Sequence, residues 1–180
     1  MGMEIERKFV VPLSEHDCFL RRPGSSKIVQ AYLSQDPDRT MRLRVCEDSI
    51  GAFRSYMTVK TRQVGMARSE WEFNIPLVSA LEMMQHLNLP LITKKRHTFW
   101  ESGNTWEVDV IVLGSRDPAK PHEARHLVLA EVEGPSEAYL SLLELPSWVG
   151  QDVTNDPTFA MSNLTDLAAC EAAYQKAYAR

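Results

Sequence analysis

The sequence predicts an α+β protein: an eight-stranded antiparallel β-barrel with helices packed on its outside. Three observations lead there. Short alternating segments are separated by turn residues at brief intervals, the pattern of antiparallel β-structure. Seven stretches carry charge at alternate positions: Glu4-Ile5-Glu6-Arg7-Lys8, Arg42-Leu43-Arg44, Thr58-Val59-Lys60, Glu70-Trp71-Glu72, Lys94-Lys95-Arg96, Glu107-Val108-Asp109 and Glu131-Val132-Glu133. On a strand, residues i and i+2 share a face, so each stretch lines one face with charge. The opposite faces are apolar: Met41, Leu43 and Val45; Met57 and Val59; Trp71 and Phe73; Trp106, Val108 and Val110. That apolar layer needs a cover, and the helices are the available cover. The charges then turn into the barrel.

The elements follow in order. Residues 3–11 alternate and stop at Pro12, which gives the first strand. Leu13 to Arg22 allows one or two helical turns before Pro23-Gly24. Lys27–Ser34, Thr40–Cys46, Phe53–Thr61 and Ala67–Ile75 are strands, divided by Asp36-Pro37-Asp38, by a loop at Asp48–Gly51 and by Gly65. Pro76 opens a helix whose Leu77, Leu81, Met84 and Leu87 recur at three- and four-residue steps, and Pro90 ends it. Leu91–Trp100 and Thr105–Leu113 form a hairpin about Ser102-Gly103-Asn104. Gly114–Arg125, with two prolines, is a polar loop before the eighth strand, Leu127–Glu133. A short helix over Ser136–Leu143 and an Ala-rich helical segment from about Phe159 to Tyr178 complete the chain. There is no internal repeat and no linker, so residues 1–180 are expected to form one domain, the last helix included.

Bulk properties narrow the function. The 180 residues suffice for one sizeable core. A net charge of −4, from 20 basic and 24 acidic residues, argues against a broad nucleic-acid or membrane surface while allowing a local basic pocket. Three widely spaced cysteines suggest no disulfide framework and a reducing compartment. No apolar run reaches the roughly 18–20 residues of a bilayer span, and the early charges leave no signal-peptide core. Met1-Gly2 lacks the downstream Ser/Thr of a myristoylation site, because Glu6 stands there. A cytoplasmic location is expected, and Asn163-Leu164-Thr165 then has no meaning as a glycosylation sequon.

The charge pattern carries the chemistry. Two like charges about 4 Å apart repel by ~1 kcal/mol in water and ~4 kcal/mol at an effective dielectric near 20. Glu4, Glu6, Glu131 and Glu133 converging in a lumen need cations, and the Lys/Arg cluster needs anions. A divalent metal with a polyphosphate satisfies both. The alternative is a set of solvated strand faces with cross-strand ion pairs. Lys95 has the opposite parity from Lys94 and Arg96 and is read as outward. Arg62 and Arg68 are read as rim or surface residues, and His16, His86 and His97 as surface or packing residues. His122-Glu123-Ala124-Arg125-His126 matches the H-E-x-x-H zinc pattern, which needs a helix. Here it follows Pro118 and Pro121 and runs into a strand, so a polar loop is the simpler reading.

Taken in order, these segments resemble the CYTH domain, the triphosphate tunnel metalloenzymes. The resemblance begins with Glu4-Ile5-Glu6-Arg7-Lys8-Phe9, continues through Gln30-Ala31-Tyr32-Leu33 and the charged pairs, and ends in Val149-Gly150-Gln151-Asp152-Val153-Thr154, Asp156-Pro157 and Asn163. The opening and the tail look most like the short bacterial inorganic triphosphatases. The resemblance implies an eight-stranded tunnel, a Mg²⁺ or Mn²⁺ cofactor and a small-molecule triphosphate substrate. It assigns Glu4, Glu6, Glu131 and Glu133 to the metal, with Asp109 nearby. Lys8, Arg42, Arg44, Lys60, Lys94 and Arg96 would cradle the phosphates. Glu70 and Glu72 would bind metal or orient the bases. Tripolyphosphate hydrolysis to pyrophosphate and phosphate is the leading activity. Thiamine triphosphatase, class IV adenylate cyclase and a non-catalytic polyphosphate binder are the alternatives. No nucleic-acid or membrane partner is expected, and a homodimer is compatible. The loop Gly114–His126 is longer than in compact members, and Asp152 and Phe159 stand where Glu and Tyr are common.

Overall fold

The computed structural model describes residues 2–113 and 125–179. Its strands are β1 (Gly2–Val10), β2 (Ser26–Asp36), β3 (Arg39–Glu47), β4 (Phe53–Thr61), β5 (Ala67–Asn74), β6 (Leu91–Glu101), β7 (Asn104–Leu113) and β8 (Arg125–Glu133). Its α-helices are α1 (His16–Arg21), α2 (Leu77–His86), α3 (Glu137–Ser141) and α4 (Leu167–Tyr178). The strands close in the order β1-β5-β4-β3-β2-β6-β7-β8, with every neighbouring pair antiparallel. Two meanders, β2 to β5 and β6 to β8, are joined across β1. Closure removes the exposed edges that an open sheet would leave. The β6–β7 turn places Ser102 and Gly103 at φ 50° and 77°, the left-handed pair that a tight hairpin requires.

The outer face is covered in two places. Phe9, Val11, Trp106, Val108, Val128 and Val132 pack under Phe19 of α1, Leu140 of α3 and the nearby Trp148. Leu43, Val45 and Ala31 pack under Ala80 and Met84 of α2. The cover stops at β5, where Phe73 is 49% exposed. The expected burial of every outer apolar face is therefore incomplete.

The lumen has two halves. Inward positions at one end are charged. At the other end Val10, Tyr32, Ile92, Ile111, Leu127 and Leu129, which share parity with the charged residues, form an apolar core. Val153, Phe159, Met161, Leu164 and α4 pack against that core and close it. This corrects the expectation of one helix from about 159 to 178 on the outside. The segment instead forms 3₁₀ turns at Pro157–Phe159 and Asn163–Thr165 before α4. Two aspartates set these breaks. Asp156 accepts from the Thr158 N–H at 3.1 Å, and Asp166 accepts from the Ala169 N–H at 3.0 Å, so each acts as an N-cap. Among the described residues no helix is long and apolar enough to cross a membrane.

Candidate active site

Strand register decides what meets in the lumen. Glu6 stands beside Glu133 and Lys8 beside Glu131 across β1 and β8, while Glu4 faces Arg68 across β1 and β5. Lys60 pairs with Glu70, Thr58 with both Arg42 and Glu72, and Arg96 with Asp109. The charged end encloses a cavity of about 680 Å³. Glu4, Glu6, Lys8, Arg42, Arg44, Lys60, Glu70, Glu72, Lys94, Arg96, Glu131 and Glu133 all line it. Lys95 is exposed on the outer face, as its parity requires.

The acids separate into two groups. One oxygen from each of Glu4, Glu6 and Glu133 lies within 4.8 Å of the others. Burial and Glu131 push Glu6 above the usual carboxylate range. Burial, with Glu4, Glu107 and Glu6, pushes Glu133 up to about 7. Burial also opposes ionisation of Glu4, but Lys60 and Arg68 outweigh it and bring Glu4 down to about 2. Three convergent oxygen donors, two of them pushed toward protonation by burial and neighbouring carboxylates, form a donor set that suits a hard divalent cation. The residues therefore fit the implied metal.

Asp109 and Glu131 fall outside that trio. Asp109 is 1% exposed and does not reach the cavity surface. Its Oδ2 accepts from Lys94 Nζ at 2.5 Å and Arg96 Nη2 at 2.6 Å, and its Oδ1 accepts from Arg96 Nε at 2.7 Å. Those contacts occupy both oxygens, so Asp109 holds two bases in place, contrary to its expected position near the metal. Glu131 accepts from Lys8 at 3.0 Å and from Arg96 at 3.1 Å. Burial opposes its ionisation, but Lys8, Arg96 and Lys94 outweigh that and hold it well below the usual carboxylate range.

The bases differ in what they hold. Lys60 binds Glu4 at 2.8 Å and Glu70 at 2.7 Å. Arg96 also contacts Glu107. By contrast, Arg42 and Arg44 reach Glu70 and Glu72 only at 3.9 and 3.8 Å. The Nε–H of each is buried with no acceptor among the described residues. Buried donors without partners are rare, and both arginines line the cavity. Burial, then Arg42 and Arg96, lower the pKa of Arg44, so its charge is held against repulsion. Burial and Arg96 lower Lys94 to about 7 despite Asp109.

Sequence reasoning misplaced Arg68. It lines the cavity, donating from Nε to Glu4 at 2.5 Å and from Nη2 to Glu6 at 2.9 Å. The signal was present, since Arg68, Glu70 and Glu72 share one parity. Arg62 lies at the mouth, paired with Asp38 at 3.5 Å, as a rim residue would. Tyr32, also unassigned, lies at the floor and its hydroxyl accepts from Gln30 at 3.0 Å. His16 and His97 are packing residues: His16 meets the Val11 carbonyl and the Tyr178 hydroxyl, and His97 packs near Phe19. Residues 122–124 of the H-E-x-x-H motif lie outside the described residues, and His126 lies in β8.

No family model matches the chain. It is 37% identical over 165 residues to an inorganic triphosphatase of Acetivibrio thermocellus, spanning 91% of this chain and 94% of that protein. The crystal structure of the inorganic triphosphatase NE1496 superposes with a TM-score of 0.55 at 25% identity, over 94% of this chain and 96% of that one. A Bacillus halodurans structure assigned as an adenylate cyclase shares the fold, with a TM-score of 0.51 at 13% identity over 82% and 95% of the two chains.

Proposed function

The chain belongs to the inorganic triphosphatases of the triphosphate tunnel (CYTH) family, and we propose that it hydrolyses tripolyphosphate to pyrophosphate and orthophosphate with Mg²⁺ or Mn²⁺. One observation carries this reading: an acid trio and two under-partnered guanidinium groups face one lumen. The choice of tripolyphosphate rests on the lining. Its aromatic residues among those described are Tyr32 and Phe159, both buried in the apolar end, so no open ring is offered for a base or thiamine to stack on. The substrate is thus read as a small-molecule triphosphate, without nucleic acid or membrane, and the location as cytoplasmic.

Glu4, Glu6 and Glu133 would hold the cation, which when bound would supply neutralising charge to the phosphate oxygens. Arg42 and Arg44, which line the cavity, donate to the phosphoryl oxygens through their guanidinium groups. Lys8, Lys60 and Arg96 add charge around the chain of phosphates. Phosphoryl transfer demands mainly positioning and charge stabilisation, which this lining supplies. Lys94, held by Asp109 at 2.5 Å, adds charge beside Arg96. Asp109 fixes Lys94 and Arg96 in place.

A phosphate-release panel of tripolyphosphate, thiamine triphosphate and ATP with each metal tests the proposal. Release from tripolyphosphate is expected to exceed release from ATP by at least about tenfold, on the scale set by losing well-placed contacts. Cyclic AMP from ATP, or tight tripolyphosphate binding without release, would overturn it.

The rate should also rise with pH through about 7, because Glu133, pushed up to about 7, must lose its proton to bind metal. Raising the Mg²⁺ concentration tenfold should move this rise to lower pH, because metal competes with the proton. A flat profile from pH 6 to 8 would contradict the assignment of Glu133.

A further inference from the structure

We propose that Arg68 is a resident counter-cation of the metal site, displaced when the metal enters and then redirected to the substrate. The inference rests on the reading that Glu4, Glu6 and Glu133 hold the cation. The guanidinium of Arg68 bridges two of those three carboxylates, Glu4 at 2.5 Å and Glu6 at 2.9 Å. Glu4 already carries two cations: Lys60 meets Oε1 at 2.8 Å and Oε2 at 2.9 Å, and Arg68 also meets Oε2. A divalent ion held by Glu4 and Glu6 would stand beside the guanidinium that the same two carboxylates carry, and repulsion between the two cations would weaken the Arg68 pairs.

Arg68 is the one able to move. Lys60 is anchored on its far side by Glu70 at 2.7 Å, so releasing Glu4 leaves it a partner. Among the described residues Arg68 forms ion pairs with Glu4 and Glu6 alone, and its long side chain springs from β5 at the cavity wall. Once freed, its planar fork matches a phosphate group. The site therefore keeps its acids neutralised while empty. It also gains a phosphate ligand only after metal loading, which couples the two binding events.

The test is metal binding without substrate. Titrating Mn²⁺ alone into the full chain, by calorimetry or electron paramagnetic resonance, should show Arg68→Gln binding at least about fivefold tighter than the wild type, as expected when a competitor is removed. Arg68→Lys keeps the charge but loses the fork, and should fall between the two. Arg62→Gln, at the exposed mouth, should match the wild type, which excludes a general charge effect. At saturating metal, Arg68→Gln should raise the KM for tripolyphosphate about tenfold with a smaller change in kcat, the pattern of lost binding. Because the variant loses ion pairs, its melting temperature without metal should fall, and Mn²⁺ should raise it by more than it raises the wild type. Binding of Mn²⁺ to Arg68→Gln that is equal to or weaker than wild type would overturn the proposal and mark Arg68 as a fixed brace. No Mn²⁺ binding by the wild type would instead overturn the underlying metal assignment.

Discussion

Glu4→Gln is expected to abolish most metal-dependent turnover of tripolyphosphate, reducing kcat by at least about 100-fold, the scale seen when a single charge-stabilising group is lost from an active site. The reason lies in its ionisation. Glu6 and Glu133 are both pushed upward and hold protons readily, whereas Glu4 is held at about 2 and is a carboxylate at any working pH. It is thus the anchor on which the other two donors assemble. Glutamine preserves the volume and one acceptor for Lys60 or Arg68, so the barrel should remain folded by circular dichroism. Phosphate release measured over a wide Mn²⁺ range separates the outcomes. A rate within about threefold of wild type would remove Glu4 from the metal site. The same substitution leaves Lys60 with Glu70, so no base is stranded in the lumen.

The barrel was legible because strand parity is a strict code. A charged residue two positions from another must share its face, and closure of eight strands sends all such faces to one place. The same code would have placed Arg68 with Glu70 and Glu72. Arg68 was misread because only adjacent pairs were treated as patterned, and a third member two positions earlier looked isolated. Asp109 shows the opposite limit. Parity sends its side chain inward beside Arg96, but whether a carboxylate meets a metal or a base depends on depth along the barrel. That depth is set by cross-strand register, which a single sequence does not print. The apolar floor was missed for a related reason. Val10, Ile92, Ile111 and Leu129 have the parity of lumen residues, yet apolar residues are ordinarily assigned to a covered outer face. Only the C-terminal segment, folded over that end by its two aspartate caps, shows why both halves of the lumen must differ.

Arg44→Met should stabilise the ligand-free protein while lowering kcat/KM by about 10²–10³, the scale of a lost transition-state donor. Both effects come from one fact. In the folded protein the charge of Arg44 is disfavoured, first by burial and then by Arg42 and Arg96. Its ion pair with Glu72 spans 3.8 Å, and its Nε–H has no acceptor among the described residues. Glu72 is 36% exposed, so water can solvate it once the guanidinium is gone. Replacing a poorly compensated buried charge by an apolar side chain of similar length is often neutral or stabilising by about 1–4 kcal/mol. For a chain of this size that corresponds to a rise in melting temperature of about 2–4 °C per kcal/mol. Tripolyphosphate with Mg²⁺ should reverse the ranking, since a ligand that binds only the folded state stabilises the wild type by mass action and the variant much less. Thermal melts of both proteins, with and without the ligand pair, read the two halves together. A variant that melts lower than wild type without ligand would mean that Glu72 or a bound anion already balances Arg44. A variant of normal kcat/KM would mean that the phosphates lie elsewhere in the lumen.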